Sequence, residues 1–219
     1  MRPSAPRRQL AQVLLLLFLV LPSLGLSPLA LEDITFPWLA AAVILRDLTL
    51  LTLVGYFVWS EGGTAASIGW RRRGAGHEVL LGALAFAPAL LGLALLQSLL
   101  QSFGLPPARP PPAALIPQTP GDAAFAVVLL VVVAVVEETL FRGFLLTRLL
   151  ALTGHRGVAL TVATLVFALG HGYQGVTGLI AVAALGLLYG VIYLWRGSLV
   201  APATMHFLQN AAGMLVPGP

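Results

Sequence analysis

The chain has no cysteine, no lysine and little charge of either sign: 9% of its 219 residues are charged, against about a quarter in soluble domains. Without cysteine there is no disulfide framework, no thiolate nucleophile and no cysteine-ligated metal. All 12 basic residues are arginine, too few and too scattered to form a nucleic-acid-binding surface, so no nucleic-acid partner is expected. No repeat of fixed period stands out either. What remains is apolar: 58% of the chain is hydrophobic, which predicts an integral membrane protein whose first partner is the lipid bilayer. The 23 glycines and 16 prolines are expected mostly at turns between apolar runs.

Those runs predict an all-α fold, a polytopic transmembrane helix bundle of about seven helices. A basic arm, Met1 to Arg8, precedes an apolar run from Leu10 to Leu31. A signal peptide is the alternative there, but the run is longer than a usual signal core and Leu24 to Ser27 offers no clean cleavage site. Pro37 to Trp59 is the second span, with Trp38 and Trp59 placed as interfacial anchors. Near its middle stand Arg46 and Asp47, read as an internal packing pair; the alternative is that one of them supports a site by pairing with another helix. Glu61 to His77 is a polar loop whose Trp70-Arg71-Arg72-Arg73 reads as an interfacial segment held against anionic headgroups. Leu80 to Phe103 is the third span, and Pro106 to Asp122 is a proline-rich connector. The remaining spans are Ala123 to Leu152, Gly157 to about His171, Val176 to Trp195 and Ser198 to about Val216. Two parts are expected: residues 1–122, the first helices with the connector, and residues 123–219, which hold the polar motifs.

The arginines orient the bundle. With a cytoplasmic amino terminus and alternating helices, Arg2, Arg7, Arg8, Arg71 to Arg73, Arg148, Arg156 and Arg196 face the cytoplasm and only Arg109 faces the other side. The expected location is multi-pass, in a bacterial-type inner membrane.

Two adjacent carboxylates, Glu137 and Glu138, end a long run of Val, Leu, Ala and Phe. An ionisable group near the bilayer centre costs about 2.5 kcal/mol or more, so each is a functional-site hypothesis with a partner to be found. Glu138 and Arg142 are four apart on one helix face, whereas Glu137 and Glu138 point about 100° apart. Arg142 therefore neutralises Glu138 and leaves Glu137 to face a wet cavity as general base; the alternative is a closed ion cluster that only specifies helix packing.

Two further motifs put polar groups into apolar helices: Phe167 with His171, and His206 with Asn210, each pair four apart. Gly154 lies midway in sequence between Glu137 and His171, so an antiparallel hairpin brings the two level, both about 25 Å from the turn. His206 lies about 13 Å up from the turn at Arg196 to Ser198, close to the same depth. Three helices can present one cluster there.

Glu137-Glu138 with Arg142, Phe167 with His171, and His206 with Asn210 resemble the EExxxR, FxxxH and HxxxN motifs of the CPBP family, also called Abi. These are intramembrane endopeptidases related to the type II CAAX prenyl proteases, and the resemblance covers roughly Phe125 to Val216. It implies proteolysis within or near the membrane, with a peptide or membrane protein as substrate. By that resemblance Glu137 activates water with His171 nearby, His206 and Asn210 stabilise the oxyanion, and Glu138, Arg142 and Phe167 support them. Elementary chemistry agrees: burial makes a carboxylate a better base, and fixed donors in a low-dielectric cavity stabilise developing negative charge. This scheme needs no cofactor. A zinc version, with Glu137, His171 and His206 as a two-histidine, one-carboxylate set, is the alternative, although no His-Glu-x-x-His helix is present. A non-catalytic immunity or binding protein is a third reading. A proton-coupled transporter fits less well, because all the motifs sit in one half of the chain.

Overall fold

The computed structural model describes residues 5–20 and 34–215. Among them are seven helices and no strand: α1 (Pro6–Val20), α2 (Phe36–Ser60), α3 (Ala75–Ser102), α4 (Pro120–Thr153), α5 (Arg156–Leu169), α6 (Gly175–Arg196) and α7 (Val200–Leu215). Helices α2, α3, α4 and α6 are each long and apolar enough to cross a membrane. Their outward faces carry exposed Leu45, Leu84, Leu95 and Leu187, which lipid tails can solvate. The protein is an all-α integral membrane bundle.

Several boundaries move. The third helix begins at Ala75 and not Leu80, and the fourth at Pro120, where Thr119 and Asp122 form a reciprocal capping box and Pro120 occupies the first turn. The fifth ends at Leu169, so His171 stands beyond the helix and not within it. The part of the first apolar run from Leu21 to Leu31, with its cleavage-site alternative, lies outside the described residues, as do Met1 to Ser4 and Val216.

Helix α4 is the axis of the molecule, packed by α2, α5, α6 and α7 along its length and by α1 at its C-terminal end, while α3 closes the far side against α6 and α7. Its middle is unusual. From Thr139 to Leu146 it is a π-helix, and all eight residues are buried. Threonine hydroxyls bond backbone carbonyls at both ends of it. Thr139 donates to the Val135 carbonyl (2.6 Å), and Thr147 reaches the carbonyls of Gly143 (2.8 Å) and Phe144 (2.9 Å).

The loop after α2 tucks beneath this segment. Trp70 donates its indole N–H to Thr139 (2.8 Å), Tyr193 donates to the Ile68 carbonyl (3.2 Å), and the Gly69 carbonyl accepts from Leu199 N–H (3.0 Å). Trp70 thus points into the bundle and not to the interface, whereas Arg71, Arg72 and Arg73 are exposed. Polar contacts fasten the same end: Glu61 accepts from Gln12 and pairs with buried Arg148, joining α1, α2 and α4, and the partly exposed Arg196 of α6 pairs with Glu78 of α3. Glycines also differ from expectation. Gly82, Gly143, Gly186 and Gly190 lie inside helices; a Cβ on Gly82 would stand 2.6 Å from the Ala201 carbonyl oxygen, so α3 and α7 meet at backbone distance.

Candidate active site

Helix α4 delivers both carboxylates at the last turn before the π segment, and they part as their 100° offset requires. Glu138 is fully buried and Arg142 nearly so; Arg142 Nη1 donates to Glu138 Oε1 at 2.7 Å. The guanidinium is held on other sides as well. Nη2 donates to the Gly186 carbonyl (3.2 Å), and the plane lies 4.2 Å from the Phe167 ring centroid and 5.4 Å from that of Tyr189. A flat cation that stacks on rings and donates in a fork suits this slot, where a lysine ammonium would not. Gly186 has to be small: a Cβ there would stand 2.9 Å from Phe167.

Glu138 has a second partner. Its Oε1 also lies 2.9 Å from Nδ1 of His206, which α7 presents from the opposite side. An ionised carboxylate only accepts, so His206 donates from Nδ1 and turns Nε2 away from Glu138. Nε2 lies 3.7 Å from Oε2 of Glu137. Glu137 itself has no arginine, its side chain is 15% exposed, and Oε2 is buried without a protein hydrogen-bond partner.

Phe167 is the hub of the aromatic packing. Its ring contacts Phe141 (5.1 Å between centroids), His171 (5.1 Å) and His206 (6.0 Å, edge to face). Just beyond the end of α5, His171 bends back so that Nδ1 meets the Phe167 carbonyl at 3.1 Å, which leaves Nε2 uncommitted. It lies within electrostatic reach of both Glu137 and His206. Tyr189 stacks on His206 (5.7 Å, 29° between planes) and fixes the imidazole plane.

Glu137, Glu138, Arg142, Phe167, His171 and His206 are therefore brought together from α4, the end of α5 and α7. Asn210, one turn beyond His206 on the same face of α7, is half-buried. Sequence reasoning missed Gly186 and Tyr189, because an apolar helix with a glycine and a tyrosine three apart carries no polar signal. It also missed the sharing of Glu138 between two helices.

Among the described residues no three carboxylate or imidazole groups are placed to hold one ion. His206, with Nδ1 on Glu138, keeps Nε2 turned away from it, an orientation in which a histidine can also ligate an ion.

Residues 119–212 match the family model for the type II CAAX prenyl endopeptidase Rce1-like domain. The likeness to the Rce1-like family is confined to these residues. The match spans α4 to α7 almost entirely and includes every member of the cluster. Over these residues the chain is similar to that endopeptidase family, in agreement with the motif resemblance to the CPBP family. No curated protein and no solved structure matches the chain. Helices α1 to α3 lie outside the Rce1-like match.

Proposed function

We propose that the protein hydrolyses peptide bonds of membrane-associated substrates with Glu137 as general base. The observation that carries this is the division of labour between the two carboxylates: Glu138 is bound by Arg142 and His206, while Glu137 has no arginine and is partly exposed beside His206 Nε2. In the scheme, Glu137 takes a proton from water as the oxygen attacks the scissile carbonyl, then delivers that proton to the departing amine nitrogen. Asn210 donates to the oxyanion through its amide. His206 donates from Nε2 when the ring carries both protons, its orientation set by Glu138 and Tyr189. His171, with Nε2 free, helps to hold the water.

The substrate is a peptide or membrane protein with its scissile bond at the depth of the cluster; prenylation is not required by any residue described. The bundle is proposed to lie in a bacterial-type inner membrane with its amino terminus in the cytoplasm, on the strength of the arginine distribution.

The direct test is Glu137→Gln, which keeps the shape and removes the base. Cleavage of a peptide substrate should fall by orders of magnitude while folding and substrate binding persist. Wild-type cleavage by this variant would end the glutamate mechanism, and an immunity function indifferent to it would favour a binding protein. Loss of wild-type activity in chelator, restored by zinc, would favour the metal version.

A further inference from the structure

Helix α2 lies outside the Rce1-like match, yet it carries a carboxylate to the level of the cluster. Two aromatic pairs set the register between α2 and α4. Phe36 meets Phe125 edge to face (6.3 Å), and Phe57 stacks on Phe144 (5.8 Å). Asp47 and Glu137 both lie between these two pairs. Asp47 stands 11 residues beyond Phe36 and Glu137 12 beyond Phe125, on helices that run in the same direction. Counted back from the second pair the offset is three residues, so their heights differ by one to three residue rises, roughly 1.5–4.5 Å.

Asp47 faces inward and is 1% exposed. Its Oδ1 takes two bonds from its own neighbour, Arg46 Nε (3.0 Å) and Nη2 (2.7 Å). Its Oδ2 is buried and has no protein partner. Arg46, by contrast, is 41% exposed on the outward flank of the helix. The guanidinium has been kept at an unfavourable depth with Asp47 as its partner. Glu137 and His206 are both within electrostatic reach of Asp47. A pair that only filled space would be replaced by two apolar side chains with no loss, and often with a gain. Here one oxygen of the pair is left buried and unpartnered at about the level of the cluster.

We propose that Asp47 is a positioning residue for the hydrolytic reaction, its buried, unpartnered Oδ2 presenting a fixed acceptor at the depth of Glu137 while Glu137 moves a proton from water to the leaving amine. This rests on Glu137 being the base. Arg46 holds Asp47 through Oδ1 and keeps Oδ2 free; Arg142 does the corresponding work for Glu138 on the other side. The charges around Glu137 are then Asp47 with Arg46 from α2, Glu138 with Arg142 from α4, His206 from α7 and His171 beyond α5.

The experiment uses full-length protein with both members of the pair made apolar, Arg46→Leu with Asp47→Leu, so that no charge is left unpaired. Thermal unfolding in detergent should match or exceed wild type. At equal folded concentration, kcat for peptide cleavage should fall by roughly tenfold or more, with KM unchanged. A folded double variant with wild-type kcat would overturn the proposal and leave the pair as packing. Should that variant not fold, Arg46→Gln with Asp47→Asn asks the same question with neutral side chains of similar shape, and wild-type kcat there overturns it equally. Glu137→Gln separates the two levels of inference: if it cleaves as fast as wild type, the base assignment has failed, whatever the α2 variants do.

Discussion

Nδ1 of His206 lies 2.9 Å from Oε1 of Glu138, on the same oxygen that accepts Arg142 at 2.7 Å. One buried oxygen thus orders two side chains on two helices, a guanidinium that donates to it and an imidazole whose proton it positions. Glu138→Gln removes the charge and cannot accept from both donors as well. Cleavage should fall by no more than the loss seen in His206→Ala, about 10²-fold, because Glu138 acts through His206. Comparing the two variants and their double mutant checks this: losses that multiply would mean that Glu138 acts independently.

Arg142→Ala leaves Glu138 buried with only His206 beside it. Breaking a buried pair from one side costs about 3–5 kcal/mol, so the variant should melt well below wild type in detergent and give a lower folded yield. Arg142→Lys restores charge but neither the fork nor the stacking on Phe167 and Tyr189, so it should recover only part of the stability. Lost activity with unchanged melting would mean that Arg142 meets substrate instead.

His206→Ala and Asn210→Ala should each lower kcat by about 10²-fold if each supplies one oxyanion donor, with smaller effects on KM. Steady-state kinetics with one peptide substrate decides it. A change confined to KM would assign Asn210 to substrate binding.

Reporter fusions after Arg73 and at Gly154 should both report a cytoplasmic position, and a fusion in the connector between Pro106 and Pro120 the opposite side. The two arginine-bearing loops lie at the same end of the bundle, where α2 and α4 finish and α3 and α5 begin. Opposite readings for those loops would contradict the helix arrangement itself.

Much of this was legible in the residues. Hydropathy marked the helices, and the four-residue spacing of Glu138 and Arg142 gave their pairing, because both features are local to one helix. The start of α3 was less visible: Ala75 to Glu78 reads as polar loop until Glu78 is seen binding Arg196, 118 positions away. Trp70 resembled an interfacial anchor, since its inward turn depends on the hydroxyl of Thr139 in another helix. The π segment leaves no mark in hydropathy at all. The two threonines that serve its carbonyls are ordinary helix residues until the backbone widens between them. Likewise, which carboxylate His206 meets depends on how α7 is rotated against α4, a tertiary quantity that neither motif contains.

Helix α5 has 14 residues, a length of about 21 Å, some 9 Å less than the thickness of a typical hydrocarbon core. The turn that follows therefore sets irregular peptide groups at a depth where acyl chains offer them no hydrogen bond. Two of those groups are served by the protein: the Phe167 carbonyl by His171, and the Gln174 carbonyl by the Arg109 N–H of the connector at 2.9 Å. These bonds let irregular backbone stand at membrane depth, where bare peptide groups persist only against protein or water. Membrane thickness acquires a chemical meaning at this point. The helix that falls short of the hydrocarbon core is the one whose end positions Phe167 and His171.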